Sequence, residues 1–358
     1  MKKILKILLI VLLAIIVVAG GYVAYVFISY DRIDDMQPIG TDVPEKAVDA
    51  PVSADKLFTA VTQNVGFGAY TRDFTFFMDG GKESRAKSEE SVVDCTNKAA
   101  DAVNEYDPDF IFFQEVDFDS TRSYHVDQRK IFEERFNDRF GAFAVNYHSA
   151  YLMYPIFEPH GASNSGLLTL SKGKITDSLR RKLPISESFS KILDLDRCYV
   201  ISRVPLDNGK ELVVINVHLS AYGGSEEIHE QQMKMLFSDM AAEYEKGNYC
   251  ICGGDFNHDF TGDSVIKLNG DGTEREGWTQ PFPTQYLPEH ICQALDYSGG
   301  KLIPTCRNCD IPYEEGNFTV IVDGFLITDN IEVEYLENIQ KGFEYSDHNP
   351  VVIKFRLK

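Results

Sequence analysis

Residues 249–258 give the clearest sign of how the chain folds, and they read Tyr249-Cys250-Ile251-Cys252-Gly253-Gly254-Asp255-Phe256-Asn257-His258. The segment opens with a short apolar run, typical of a buried strand. It closes with two glycines followed by acidic, amide and imidazole side chains. Because a strand terminus often carries Asp or Asn only to make a turn, this segment alone predicts a strand and a polar loop.

Five further segments also end an apolar run with acidic, amide or imidazole side chains. They read Thr62-Gln63-Asn64, Phe113-Gln114-Glu115-Val116, Asn216-Val217-His218-Leu219, Ile321-Val322-Asp323-Gly324-Phe325 and Ser346-Asp347-His348-Asn349-Pro350. Turn chemistry alone does not require Asp-x-Asn after Gly-Gly together with Asp-His before Pro. Six such segments in one chain therefore indicate polar groups gathered at strand ends, where a rigid sheet can hold them.

The rest of the pattern predicts the fold class. Short β-branched and aromatic runs predict strands over residues 57–64, 110–114, 166–170, 198–205, 211–219, 249–253, 320–328 and 351–356. Helical patterns lie between several of them, at residues 87–106, 129–139 and 226–245. Strands that come in groups and also alternate with helices predict a four-layer α/β/β/α sandwich of two mixed β-sheets flanked by helices.

The order and content of the six segments resemble the endonuclease/exonuclease/phosphatase superfamily. The most specific parts are Gly-Asp-Phe-Asn at 254–257 and Ser-Asp-His-Asn-Pro-Val at 346–351, and the resemblance covers about residues 57–358. It implies the deoxyribonuclease I-like form of the sandwich and a phosphoric ester hydrolase. The N-terminal segment described below would place the chain in a bacterial membrane-anchored branch.

Phosphoester chemistry explains why these residue types belong together. Attack of water on phosphorus builds negative charge on oxygens that are already anionic, so catalysis depends on positioning and charge neutralisation. Glu115, Asp255, Asp323 and Asp347 in one pocket would repel one another by ~1–4 kcal/mol per pair at ~4 Å. Carboxylate and amide oxygens suit Mg²⁺, so we expect Mg²⁺ as cofactor, with Mn²⁺ able to substitute.

The resemblance implies roles for the acidic and amide residues. Glu115 would be the principal metal ligand, supported by Asn64, and Asp347 would contribute through water or to a second ion. Whether one or two ions bind is open. Asp255 would orient or deprotonate the attacking water, and Asn257 would hold a phosphoryl oxygen or that water.

The same resemblance gives roles to two histidines. His218 and His348 would supply hydrogen bonds, and a proton, to the phosphate and the leaving oxygen. Only one ring nitrogen of His348 can face the phosphate, so its tautomer must be fixed. The resemblance makes Asp323 the buried carboxylate partner that fixes it.

Three weaker signals each leave two interpretations open. Asn164 matches a family segment near the phosphate, but a polar loop before a strand fits equally well. Arg197 is a candidate phosphate clamp, or it forms a surface ion pair with Asp196. Tyr147 and the aromatic run 151–157 could line a substrate rim, although their composition favours core packing.

The N-terminus predicts a membrane anchor. Residues 7–29 are apolar over roughly the ~20 residues needed to cross a bilayer. Three lysines precede this run and three aspartates follow it, at Lys2, Lys3, Lys6, Asp31, Asp34 and Asp35. The positive-inside rule then predicts a single-pass cell-membrane protein with a cytoplasmic N-terminus; a cleaved signal peptide is the alternative. The predicted division is a signal anchor at 1–30, an extracytoplasmic tether at 31–55 and the catalytic domain at 56–358.

Charge and cysteine content bear on the competing functions. Lys and Arg total 35 against 55 Asp and Glu, a net charge of -20. This negative net charge counts mildly against nucleic acid as a partner. An extracytoplasmic nuclease acting on DNA or RNA is therefore an alternative rather than the main prediction. A second alternative is a catalytically inactive ligand-binding surface module, and a third is a zinc hydrolase built on His218, His258 and His348.

The cysteines leave two interpretations open, because the spacing of Cys306 and Cys309 permits a disulfide or half of a structural metal site. Substrate and oligomeric state stay open.

Overall fold

The computed structural model describes residues 2–44, 46, 50–188, 191, 196–221, 225–270 and 279–358. The helices in these residues are α1 (Lys2–Ile28), α2 (Glu89–Asn104), α3 (Gln128–Arg135), α4 (Glu226–Glu245) and α5 (Ser264–Asn269). The strands are β1 (Gln37–Pro38), β2 (Thr41–Asp42), β3 (Phe58–Asn64), β4 (Phe110–Asp117), β5 (Phe140–His148), β6 (Asn164–Ser171), β7 (Asp177–Lys182), β8 (Cys198–Pro205), β9 (Glu211–His218), β10 (Tyr249–Asp255), β11 (Ile291–Gln293), β12 (Cys306–Arg307), β13 (Thr319–Val320), β14 (Asp323–Thr328), β15 (Ile331–Asn338) and β16 (Val351–Leu357).

Two mixed sheets of seven strands form the framework. The first sheet has the order β1-β7-β8-β9-β10-β14-β11, and the second has the order β15-β16-β3-β4-β6-β5-β2. Each sheet contains one parallel pair, β9 with β10 in the first and β3 with β4 in the second. A parallel pair needs a long crossover, which α4 supplies for β9 and β10 and α2 for β3 and β4.

The apolar residues sort into layers around these sheets. Between the sheets pack Phe58, Phe112, Ile251, Phe325 and Phe355, all fully buried. The outer face of the first sheet is covered by Met233, Leu236, Phe237 and Met240 of α4, which contact Cys250 and Cys252. The outer face of the second sheet packs against Ala99 and Val103 of α2 and Phe132 of α3. The predicted four-layer sandwich is confirmed.

A polar bridge crosses the apolar layer between the two sheets. The Gln114 Nε2 atom donates to Asn216 Oδ1 at 2.8 Å. The Asn216 amide in turn donates to the carbonyl oxygens of Phe113 at 3.2 Å and Leu168 at 3.1 Å. The buried Asn216 amide has these acceptors only while the sheets keep this relative position, so the bridge fixes one sheet against the other.

The strand predictions differ from the structure in two ways. The run at 320–328 is two strands rather than one, because the Ile321 and Val322 amides donate to the hydroxyls of Ser264 and Thr305 instead of a neighbouring strand. In addition, strands such as β5, β7 and β15 were not predicted from the sequence.

The N-terminal segment forms a helix and two edge strands. Helix α1 has 27 residues and a mean hydropathy of 3.0 over its central window, so it is long and apolar enough to be a membrane anchor or a signal sequence. Within the predicted tether, β1 pairs with β7 and β2 pairs with β5. This segment therefore adds an edge strand to each sheet; its residues 45 and 47–49 lie outside the described part of the chain.

Candidate active site

Four polar side chains from the carboxyl ends of the two parallel pairs meet in one cleft. The register places Asp255 directly beside His218 in the first sheet, and Asn64 lies next to the end of β4 in the second. The Asn64 Nδ2 atom donates to Asp255 Oδ2 at 3.0 Å and to Glu115 Oε1 at 3.2 Å. The His218 Nε2 atom lies 3.5 Å from Asp255 Oδ2 and 4.0 Å from Glu115 Oε1. Asn64 thus joins the two sheets at the floor of the cleft.

Glu115 reaches the cleft through an irregularity in β4. The pairing of β4 with β6 shifts register between Phe113 and Val116, and Glu115 has a φ of +56°. A β-bulge re-aims a side chain, and a non-glycine residue in this conformation costs roughly 1–3 kcal/mol unless its surroundings enforce it. The backbone strain therefore marks Glu115 as a residue whose direction matters.

Asp255 is held by donors on both of its oxygens. Asn64 Nδ2 binds Oδ2, and the backbone amide of Asn257 binds Oδ1 at 2.9 Å. Asn257 itself has a φ of +50°, and its Nδ2 atom donates to the Leu219 carbonyl at 2.8 Å. Burial, with a contribution from the Asp323 charge, raises the pKa of Asp255 to about 7 against the opposing effect of His348.

His348 and Asp323 form the predicted pair. The His348 Nδ1 atom lies 2.8 Å from Asp323 Oδ2, which leaves Nε2 facing Asp255 Oδ2 at 3.8 Å. Asp323 sits at the start of β14, directly opposite Asp255 in the sheet register. Burial lowers the pKa of His348, but the negative charge of Asp323, with contributions from Asp347 and Asp255, outweighs it and raises that pKa well above its ordinary value.

His218 is in the opposite electrostatic state. Burial lowers the pKa of His218 well below its ordinary value, and the positive charge of Arg197 adds to the shift. Its Nδ1 atom is buried and has no hydrogen-bond partner within the part of the chain that the structure describes. His218 is therefore a neutral imidazole that faces two carboxylates through Nε2.

Asp347 lies in the same cleft, against the turn after β3. A side chain at Gly66 would meet Asp347 Oδ1 at 2.7 Å, and Gly66 has a φ of +50°. Burial raises the pKa of Asp347, and the charge of Glu115 contributes to the shift. The cleft thus gathers several carboxylates that destabilise one another's charges, as a cation-binding site does.

Three arginines line the cleft walls above this acidic floor: Arg122, Arg197 and Arg307. Arg122 forms a bidentate ion pair with the buried Asp117, at 3.0 and 2.8 Å. Arg307 donates to the carbonyls of Thr71 and Phe74. Arg197 was predicted from the sequence, but the other two lie in a short turn and in β12, where no motif singles them out.

Asn164 does not reach the cleft. Its Nδ2 atom donates to the Asp119 carbonyl at 2.7 Å, and its backbone amide donates to Ser120 Oγ at 2.7 Å. Ser165 lines the cleft instead, together with Asn146 of β5. Neighbouring residues of a strand point to opposite faces of the sheet, so only one of Asn164 and Ser165 can face the cleft. The sequence did not determine which face each residue would take.

Two sets of residues in the cleft can hold a divalent cation. One is the predicted set of Asn64, Glu115 and Asp347. In the other, Asp255, Asp323 and His348 offer ligand atoms that all lie within 4.8 Å of one another. His348 Nδ1 and Asp323 Oδ2 already bind each other, whereas Glu115 keeps 26% of its side chain exposed.

The geometry does not support the alternative zinc sites. Among the described residues, the group of Asp255, Asp323 and His348 is the one that brings three such ligands together. His258 is buried, with Nδ1 2.8 Å from the Phe256 carbonyl, and it does not line the cleft. Cys306 and Cys309 are free thiols.

Comparison with known proteins agrees with this architecture. A sequence model of the Endonuclease/Exonuclease/phosphatase family matches residues 61–348, whereas no curated protein matches the chain. Among solved structures, an endonuclease/exonuclease/phosphatase from Beutenbergia cavernae superimposes with a TM-score of 0.58 and 16% identity, covering 84% of this chain and 72% of that one.

Two other structures give similar agreement in fold. A Bacteroides vulgatus endonuclease/exonuclease/phosphatase has a TM-score of 0.52 and 15% identity, covering 85% of this chain and 100% of that one. ANGEL2, described as a 2',3'-cyclic phosphatase, has a TM-score of 0.54 and 12% identity, covering 89% and 98%. With the family match over residues 61–348, the chain belongs to the endonuclease/exonuclease/phosphatase family of hydrolases.

Proposed function

We propose that the protein is a Mg²⁺-dependent phosphoesterase that hydrolyses a phosphodiester or phosphomonoester by attack of an activated water. The observation that carries the proposal is the meeting of Asp255 with Asn64, His218 and His348, from two sheets, within 3.0–3.8 Å. Residues this far apart in sequence converge only because the sandwich places both parallel pairs at one edge.

The donor set of the cleft fits a divalent cation. Glu115 would hold the ion, with Asn64 and Asp347 in support. When bound, Mg²⁺ neutralises the negative charge that builds on the phosphoryl oxygens. The raised pKa values of Asp255 and Asp347 support this assignment, because burial and a neighbouring carboxylate disfavour the charged form of each group, and a bound cation would relieve both effects.

Asp255 is suited to accept the proton of the attacking water. A pKa of about 7 lies near neutral pH, where a general base is most effective. The donors on its two oxygens fix the carboxylate plane, so the lone pair that receives the proton has a defined direction. Asn257, next to it, would hold a phosphoryl oxygen or the water.

His348 is suited to the opposite role. Its raised pKa keeps the ring protonated, so Nε2 can donate to a phosphoryl or leaving oxygen while Asp323 holds Nδ1. His218, neutral because of burial, supplies a hydrogen bond without adding charge. Arg197 would bind a phosphoryl oxygen from the cleft wall.

The proposal also includes a place in the cell. Helix α1 would anchor the chain in the cell membrane, with the lysines before it in the cytoplasm and the catalytic domain outside, following the positive-inside rule. Addition of a membrane-impermeant protease to intact spheroplasts checks this arrangement. Digestion of the domain is expected, and full protection would contradict it.

Hydrolysis of bis-p-nitrophenyl phosphate tests the enzyme directly. The full chain should release p-nitrophenol with Mg²⁺, and EDTA should abolish the release. Asp255→Ala and His348→Ala serve as controls, since activity that survives both would come from a contaminant. The absence of metal-dependent turnover with this ester and with DNA, RNA, sphingomyelin, phosphoinositides and sugar phosphates would favour an inactive binding module.

A further inference from the structure

An exposed apolar segment lies outside the cleft, near the end of α1. Residues 151–157, the apolar loop, read Tyr151-Leu152-Met153-Tyr154-Pro155-Ile156-Phe157. The exposed fractions of Tyr154, Ile156 and Phe157 are 68%, 77% and 102%. The core packing predicted for this run is therefore wrong. A cluster of exposed large apolar side chains marks an interaction surface.

The apolar loop has a defined shape. At its base, the backbones of Leu152 and Gly161 exchange two hydrogen bonds, of 3.1 and 3.0 Å, and the His160 amide donates to the Tyr154 carbonyl at 3.1 Å. A short loop whose ends are tied together in this way is compact. Its apolar side chains are thus presented by an ordered element.

The apolar loop is fastened to the last turns of α1. The Tyr22 hydroxyl accepts from the Met153 amide at 2.9 Å and donates to the Tyr151 carbonyl at 3.3 Å. The Tyr25 hydroxyl accepts from the Tyr151 amide at 3.2 Å. The loop therefore reaches back along the helix, past its end at Ile28.

The length of α1 fixes the depth of this contact in a bilayer. A helix of 27 residues is about 40 Å long at 1.5 Å per residue, which exceeds the ~30 Å hydrocarbon core. About 20 residues from Ile7, the first residue after the lysines, cross that core and end at Val26, within about one helical turn of Tyr22 and Tyr25. Tyrosine is enriched at this boundary, and backbone groups bonded to these hydroxyls lie at the same level.

We propose that the apolar loop lies in the outer interface of the bilayer that holds α1, with Ile156 and Phe157 in contact with lipid. The proposal rests on the membrane anchoring described above, but not on catalysis. It commits to the lipid bilayer as partner because the loop is bonded to the one helix that is apolar enough to enter it within the described chain.

The same contact orients the cleft. The Tyr154 ring packs against Phe77, with centroids 5.7 Å apart, and His160 at the foot of the apolar loop lines the cleft together with Phe76. The cleft wall and the lipid contact are therefore parts of one structural unit. Contact of the apolar loop with lipid would therefore bring this wall of the cleft close to the membrane surface.

Depth-dependent fluorescence quenching tests the contact. Full-length Phe157→Trp is reconstituted into vesicles of phosphatidylcholine and phosphatidylglycerol with plain or brominated acyl chains, and the emission of the unmodified chain, which has one tryptophan, is subtracted. Bromine quenches only a tryptophan that contacts the acyl chains. The added emission should be shifted to the blue and lost in brominated vesicles.

Leu295→Trp is the matched control. Leu295 is 40% exposed and follows β11, which is six strands from β1 in the first sheet, a separation of about 29 Å at 4.8 Å per strand. Its emission should be equal in both vesicle types. Ile156→Trp is a second reporter in case Phe157→Trp fails to fold, which circular dichroism would reveal.

Flotation of the vesicles separates the possible failures. A chain that floats with the vesicles but whose tryptophans at 156 and 157 are quenched no more than that of Leu295→Trp overturns the lipid contact and leaves anchoring intact. A chain that does not float overturns both. Neither result bears on hydrolysis of a soluble phosphoester.

Discussion

The parallel pairs β3–β4 and β9–β10 both place polar side chains in the cleft at the carboxyl ends of their strands. The two sets of side chains differ in how far they are exposed to solvent. From the second sheet, Glu115 keeps 26% of its side chain exposed. From the first sheet, Asp255 and His218 keep only 2% and 3%. The same strand arrangement thus provides a carboxylate that is partly open to solvent in one half, the open half, and desolvated side chains in the other, the buried half.

Burial explains how the chemistry divides between the halves. A partly exposed carboxylate can exchange water for a cation, so the half that carries Glu115 suits metal binding. Desolvation raises the pKa of Asp255 and lowers that of His218, so the buried half suits proton transfer. The depth of each side chain in the cleft, rather than the topology of its strand, thus assigns the roles.

The largest effect is expected from Asp255→Asn. The amide keeps the size of the carboxylate but cannot accept a proton, so kcat should fall on the order of 10⁴-fold. Steady-state hydrolysis of bis-p-nitrophenyl phosphate at saturating Mg²⁺ measures this. A fall of less than tenfold, roughly 1.4 kcal/mol in barrier, would remove Asp255 from the proton-transfer role.

A smaller loss is expected from Asp323→Asn, which acts through His348. Without the carboxylate, the ring loses the partner that fixes its tautomer and raises its pKa, so kcat should fall on the order of 10²-fold. KM should change little. The basic limb of the pH–rate profile should also move to lower pH, and an unmoved limb would mean that Asp323 has only a structural role.

The buried His258, in the loop that follows β10, should also make the stability of the protein depend on pH. Burial lowers the pKa of His258 from 6.5 to about 4, so the unfolded chain binds a proton between these values and the native chain does not. Stability therefore falls as pH drops through this window, by about 2 kcal/mol between pH 7 and pH 5. Urea unfolding of His258→Gln should show a smaller fall; an equal fall would contradict the assignment.

The link between the two sheets should contribute a comparable amount. Asn216→Ala removes the hydrogen bonds that Asn216 makes with the Gln114 amide and with the Phe113 and Leu168 carbonyls, which should lower the free energy of unfolding by roughly 1–3 kcal/mol. Asn208→Ala is the control, since Asn208 lies in an exposed turn. Equal midpoints in urea for the two variants would show that the bridge does not hold the sheets together.

The fold could be predicted from the sequence because its strands and helices have strong local patterns. Strand β8 and helix α4 have the predicted bounds, at Cys198–Pro205 and Glu226–Glu245. Strand β7, which reads Asp-Ser-Leu-Arg-Arg-Lys and has one apolar residue, carries no such pattern. Its place in the first sheet depends on pairing with β8, which is a tertiary interaction.

The residues of the candidate site that lie in short sequence motifs could be predicted, and those outside such motifs could not. The pairing of His348 with Asp323 and the approach of Glu115 to Asn64 agree with the resemblance. Arg122 and Arg307 had no local signal, because their positions depend on the packing of loops distant in sequence. The exposure of the apolar loop could not be predicted from the sequence either, since composition does not distinguish a buried aromatic residue from an exposed one.

Binding of Mn²⁺ to the wild type, Glu115→Gln and Asp255→Asn, followed by electron paramagnetic resonance of the free ion, tests the division of roles most directly. If the open half holds the cation, Glu115→Gln loses most of the binding and Asp255→Asn retains it. Retained binding in Glu115→Gln together with loss in Asp255→Asn would place the cation among Asp255, Asp323 and His348, and would contradict the account.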